Sequence, residues 1–179
     1  GARRVYLEVQ LPLERLVRSI SGATAVFPFN APLPAFDFHC SLMSLPHRLN
    51  TRLETIPADV PYLSVPDAMV ASWRQRLSDL RGLKVGLVWA GNPENPADVR
   101  RSLPAEQMRA LLEIPGIAFV SLQKLRQDAP AAIRDERLHD WMDECGDFLD
   151  TAALIANLDL VIVVDTAIAH LAGALGKPV

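Results

Sequence analysis

Long apolar runs, clusters of basic residues and cysteine are all scarce in this sequence, and each shortage removes a class of function. No apolar run approaches the roughly 18 residues that a membrane-spanning helix needs. The N-terminal stretch "GARRVYLEV" also lacks the n-region, h-region and cleavage-site order of a secretory signal, so a cytoplasmic location without a membrane span is expected. Lys and Arg number 18 against 21 Asp and Glu, for a net charge of -3. They are spread without runs on both sides of residue 70, which is not the basic field of a nucleic-acid binder. The two cysteines, Cys40 and Cys145, match no metal-ligand spacing and read as two buried free thiols. No Gly-x-Gly-x-x-Gly follows a strand, which places an NAD-type oxidoreductase last among the candidate functions. No Asp-x-Asp pair is present either, and no metal site is expected.

What is present is a chain of 179 residues, 50% hydrophobic, able to bury the core of one large or two small domains. Its organisation changes near residue 70. Before that point come a strand in "RRVYLEV", a short helix in "PLERLVRSI", a strand in "TAVFPF" and then a proline-rich connector from Pro28 to Pro66, with few regular elements. After it, helices and strands alternate. Helices are expected in "DAMVASWRQRLSDL", "LPAEQMRALLEI", "LDTAALIANL" and "TAIAHLAGAL", with a weak one in "APAAIRDE". Strands are expected in "LKVGLVWAG", "IAFVSLQ" and "DLVIVV", with a weak one in "RLHDWM" and a further one starting at "KPV". Strands that are apolar throughout and alternate with helices predict an α/β fold, a Rossmann-like parallel sheet with helices on both faces.

Ligands of open parallel sheets bind beyond the carboxyl ends of the strands. Three loops fall there: "AGNPENPADVRRS", "LQKLRQ" and "DTAIAH". In the last, Ile168, Leu171, Ala172 and Leu175 share one helix face, while His170 lies opposite, near Thr166 and Gly173. Asp165 or Thr166 can cap this helix, whose free N–H groups favour an anion, and an imidazole one turn in can donate to a phosphate oxygen. Helix geometry alone leaves a second account open, in which Asp165 is only a cap and His170 a polar residue at a domain seam. The loop after Trp89 bends on Gly91, Asn92 and its prolines, and ends in Arg100 and Arg101, which can neutralise a phosphate or lie solvated at the surface.

Taken together, "HCSLMSLP", "IPADVPYL", "GLVWAGNP", "RRSLP", "SLQ" and "VDTAIAHLAGALGKPV" resemble the bacterial heptosyltransferases and related GT-B glycosyltransferases. The set is similar to the glycosyltransferase-like region that follows tetratricopeptide repeats in many bacterial proteins. The resemblance implies a truncated GT-B chain: residues 1–70 as the C-terminal part of the acceptor lobe with its connector, and 71–179 as the N-terminal part of the donor lobe. It implies metal-independent transfer of a hexosyl, heptosyl or N-acetylglucosaminyl group from a nucleotide-diphosphate sugar, with no cofactor, to an acceptor that is a protein or a saccharide. Gly91, Asn92, Arg101, Asp165, Thr166 and His170 match donor-binding positions, with Arg101 and His170 in the catalytic roles. Ala167 stands where heptosyltransferases usually have glycine, and the catalytic base of the family belongs to a segment that this chain does not include. The alternative is a non-catalytic nucleotide-binding or scaffold module attached to the repeats.

Two acidic sites complete the survey. Asp37 and His39 in "FDFHCSLMSLP" share a face only if the segment is extended, and a turn that packs Phe36, Phe38 and Leu42 is the simpler account. Asp147 and Asp150 suit the start of a helix as caps, with ribose contact as a second role.

Overall fold

Every second residue of the apolar strand "LKVGLV" faces a different layer of helices, and the rest of the fold is organised around that division. The computed structural model describes residues 2–96, 98–124, 133 and 135–179. In chain order the elements are β1 (Tyr6–Val9), α1 (Glu14–Val17), β2 (Ala25–Pro28), α2 (Leu45–Arg48), α3 (Asp67–Arg76), β3 (Leu83–Val88), α4 (Ala105–Arg109), β4 (Ile117–Ser121), β5 (Leu138–Asp140), α5 (Phe148–Ile155), β6 (Leu160–Val163) and α6 (Ala167–Ala174). The strands form a two-stranded parallel sheet, β1-β2, and a four-stranded parallel sheet in the order β5-β4-β3-β6.

Val85, Leu87 and Phe119 point to one face of the larger sheet, where Met108 of α4 and Leu112 pack on them. Val88, Val120 and Val161 point to the other, against Leu149, Leu154 and Ile155 of α5 and Leu171 of α6. Alternation with period two therefore buries both faces, as the continuous apolar strands predict. Gly86 permits the second layer: a Cβ there would stand 2.6 Å from Leu122 Cδ1 and 2.8 Å from Leu158 Cδ1.

The N-terminal elements are tied to this core. Leu16 of α1 is buried in the same cluster as α5, and Arg15 donates to Asp147 at 2.9 Å and to Asp150 at 3.2 Å. Arg76 of α3 lies 5.5 Å from the ring centroids of Trp73 and Trp141 and pairs with Glu144, which joins α3 to the segment after β5.

Several expectations are corrected. The helix expected over "LPAEQMRALLEI" ends at Arg109 and continues only as a 3-10 turn at Leu111–Glu113. Phe36, Phe38 and Leu42 are not packed under the connector but exposed, Phe38 by 94%. Cys145 is buried as expected, whereas Cys40 is exposed. The strand expected at "KPV" amounts to one hydrogen bond, from Val161 N to Pro178 O at 3.0 Å. The weak helix "APAAIRDE" falls mostly outside the described residues. Among the described residues, no helix is long and apolar enough to cross a membrane.

The end of α6 is sharply defined. Gly176 sits at φ 69°, a conformation that glycine adopts without a Cβ penalty. It brings Lys177 N to Ala172 O and its own N to Gly173 O, both at 2.9 Å, which is the Schellman pattern of helix termination.

Candidate functional site

From β3 the chain steps outward to β4 and β5, then returns to the opposite side of β3 as β6. The strand order therefore reverses between β3 and β6, and the crevice at the carboxyl ends of those two strands is where an open parallel sheet accommodates a ligand. A cavity of about 700 Å³ lies there, within the usual range for small-molecule sites. It draws its walls from the loops after β3, β4 and β6, from the start of α5, and from Pro12. All six residues singled out from the sequence, Gly91, Asn92, Arg101, Asp165, Thr166 and His170, line it.

At the β6 loop, Thr166 occupies the N-cap position of α6 with extended backbone, φ -141° and ψ 171°. Its side chain makes no cap hydrogen bond, so the expected side-chain cap is not formed there. Thr166 Oγ1 is instead buried without a hydrogen-bond partner among the described residues. A buried unsatisfied hydroxyl costs on the order of 1–3 kcal/mol, so this helix start is held in place by the packing behind it. That packing is the face identified from the sequence: Leu171 and Ala172 are buried, Ile168 and Leu175 press on the same core, and His170 is exposed on the cavity side.

At the β3 loop, Leu103 N donates to Trp89 O at 2.7 Å and closes the loop back onto its strand. Asn92 Oδ1 accepts from Glu94 N at 3.0 Å, so the side chain shapes the turn. Arg101 Nε donates to Asp98 Oδ1 at 3.3 Å, with the guanidinium at the cavity wall.

The β4 loop adds two residues that the sequence reading passed over. Gln123, 5% exposed, accepts from Trp89 N at 3.1 Å and from Ala90 N at 2.9 Å through Oε1, fixing the point where β3 opens into its loop. Lys124 Nζ donates to Cys145 O at 2.8 Å and brings a second cation to the cavity. The signal for both was the polar pair that ends the apolar run "IAFVSL".

Asp147 and Asp150 form a capping box at the start of α5. Asp147 Oδ1 accepts from Leu149 N and Asp150 N at 2.9 and 3.1 Å, and Asp150 Oδ2 accepts from Gly146 N at 3.0 Å. Asp147 Oδ2 is taken by Arg15, so its carboxylate is engaged in capping, the first of its two expected roles. Asp37 and His39 do not line this cavity; the His39 ring stacks on Phe36 at 6.2 Å.

Burial pushes the Cys145 thiol up to about 11. A native-state thiol titration is therefore expected to modify Cys40 rapidly and Cys145 only on unfolding. Because the unfolded thiol ionises first, near 9, this group withdraws stability as pH rises from about 9 towards 11, with the full contribution present below 9. Urea midpoints measured at pH 8 and pH 10 check the sign.

Comparison with known proteins bears on the same elements. Residues 147–179, from the capping box of α5 through α6, match the family described as glycosyltransferase family 9 (heptosyltransferase). Protein FlbA of Caulobacter vibrioides is 29% identical over 183 residues, an alignment covering 98% of this chain and 31% of that protein. The chain thus spans about a third of the length of that relative. Among solved structures, E. coli ADP-heptose LPS heptosyltransferase II is similar at a TM-score of 0.49 and 19% identity, over 70% of this chain and 40% of that one. The segment that closes the cavity at α5 and α6 therefore carries the match, and residues 147–179 are similar to glycosyltransferase family 9 (heptosyltransferase).

Proposed function

We propose that the cavity holds the diphosphate of a nucleotide-sugar donor, and that the domain serves metal-independent glycosyl transfer from that donor to a protein or saccharide acceptor. One observation carries this. At the switch point of the sheet, the start of α6, with Thr166 at its N-cap, lines the same cavity as two cations, Arg101 and Lys124. Helix N–H groups and two cations suit phosphate oxygens. In the transfer step the acceptor's nucleophile bonds to the anomeric carbon and gives up its proton to a base, while the bond from that carbon to the diphosphate oxygen breaks and its electron pair leaves with the diphosphate. Fixed donors placed where that charge develops lower the barrier. On this reading Arg101 carries most of the charge, and His170 donates from the exposed side of α6. The family match over 147–179 supports the assignment, because it covers the helix start on which the site is built.

The test is calorimetric titration of the full-length protein with UDP, ADP and GDP. One of the three is expected to bind, and His170→Ala is expected to weaken it about tenfold, or about 1.4 kcal/mol. If none binds, the domain is the non-catalytic scaffold module instead.

A further inference from the structure

One carboxylate in the loop between β3 and α4, that of Asp98, bonds two other residues of the loop, and it is not among the residues that line the cavity. Asp98 Oδ1 accepts from Arg101 Nε at 3.3 Å, and Asp98 Oδ2 accepts from Ser102 Oγ at 2.8 Å. Ser102 Oγ in turn accepts from Gly91 N at 3.0 Å. The Asp98 side chain is only 14% exposed and that of Arg101 27%, so both bonds are partly shielded from water. Asp98 thus joins Arg101 directly, and Gly91 through the Ser102 hydroxyl.

Gly91 has a steric reason for its identity in this arrangement. A Cβ on Gly91 would stand 2.2 Å from Asp98 Oδ1 and 3.0 Å from both Nε and Nη2 of Arg101. No side chain fits between residue 91 and the Asp98–Arg101 pair. The glycine makes room for that pair at the cavity wall.

We propose that Asp98 is a positioning residue: it grips Arg101 through Nε so that the guanidinium nitrogens are pre-set for a diphosphate in the cavity, and Gly91 is glycine to admit that grip. An arginine tethered at Nε keeps its fork of Nη donors for bidentate contact with phosphate oxygens. Because its rotamers are restricted before the ligand arrives, less side-chain entropy is lost on binding. The Ser102 hydroxyl supplies a hydrogen bond to the carboxylate, which reduces its repulsion of an incoming anion. The proposal rests on the donor-site reading only for the identity of the anion.

The test uses the full-length protein, with inorganic pyrophosphate as the probe and the Arg101 Nε–H resonance as the readout, assigned through its loss in Arg101→Ala. In the wild type that proton is expected to exchange slowly and to shift on addition of pyrophosphate. Asp98→Ala is expected to abolish the slow exchange and weaken pyrophosphate binding about tenfold. Gly91→Ala, which keeps the carboxylate but displaces it, is expected to do the same. Asp98→Ala combined with Arg101→Ala is expected to bind no worse than Arg101→Ala alone, within twofold, because Asp98 acts through the arginine. A residue that merely stiffened the loop would instead give multiplying losses, and that result overturns the proposal. So does pyrophosphate affinity unchanged in Asp98→Ala, or no pyrophosphate binding by the wild type. Asp98-dependent binding of pyrophosphate with no binding of UDP, ADP or GDP leaves the proposal standing and removes the nucleotide-sugar reading.

Discussion

On the proposed donor-site reading, Arg101→Ala is expected to lower kcat for glycosyl transfer about 100- to 1,000-fold, the effect of deleting one pre-set donor from a site where negative charge develops. The expectation follows from position. Arg101 lines the cavity opposite the start of α6, and its guanidinium is oriented before any ligand binds. An interaction that strengthens as the diphosphate gains charge acts on the transition state more than on the bound donor, so kcat and kcat/KM are expected to fall together. Arg101→Lys retains the charge but loses both the fork and the Nε–H that Asp98 accepts. It is expected to recover only part of the loss. Steady-state kinetics with the donor identified by titration decide the matter. A rise in KM with kcat unchanged would make Arg101 a residue of uniform binding and would remove it from the chemistry.

Local pattern makes much of the fold legible in the sequence, and most of what it misses is long-range. The β3 and β6 strands were legible because residues 85–90 and 160–164 are unbroken apolar runs, and the cavity loops were legible because those runs break abruptly at Gly91 and Asp165. The capping box at Asp147 and Asp150 is likewise a signal contained within a few residues. The strand order β5-β4-β3-β6, by contrast, depends on which crossover lies beside which. Gln123 holds Trp89 and Ala90 from the loop after β4, and Arg15 reaches Asp147 from the other end of the chain. No spacing rule encodes such pairs. The Phe36–Leu42 segment departs for a different reason: hydrophobic composition does not dictate packing, and a proline-rich chain with few internal hydrogen bonds can leave large apolar side chains in water. Thr166 is an intermediate case. Its place at the helix start was legible, but that its hydroxyl makes no cap hydrogen bond was not.

The same cavity loops are supported from beneath by one side chain, and removing it gives the largest expected loss of stability. Trp89 is 1% exposed and packs with Val85, Leu87, Met108, Leu112 and Phe119 on the α4 side of the sheet. Trp89→Ala is expected to cost about 3–5 kcal/mol, the transfer term plus the cavity left behind. At about 2–4 °C per kcal/mol for a domain of this size, Tm is expected to fall by about 6–20 °C. Urea unfolding should show a lowered midpoint with an unchanged slope, since the surface exposed on unfolding is nearly the same. A midpoint within error of the wild type would mean that this cluster does not hold the sheet. The effect should also reach the site, because the backbone of Trp89 is bonded on both sides: its N–H to Gln123 and its carbonyl to Leu103, where the loop carrying Asp98 and Arg101 returns. With the indole gone, both anchors sit over a void, and diphosphate binding is expected to weaken even at temperatures where the variant remains folded. Trp89→Phe, which keeps an aromatic ring in the cluster, is expected to restore binding before it restores full stability, because the backbone anchors need a filled floor more than they need the indole itself.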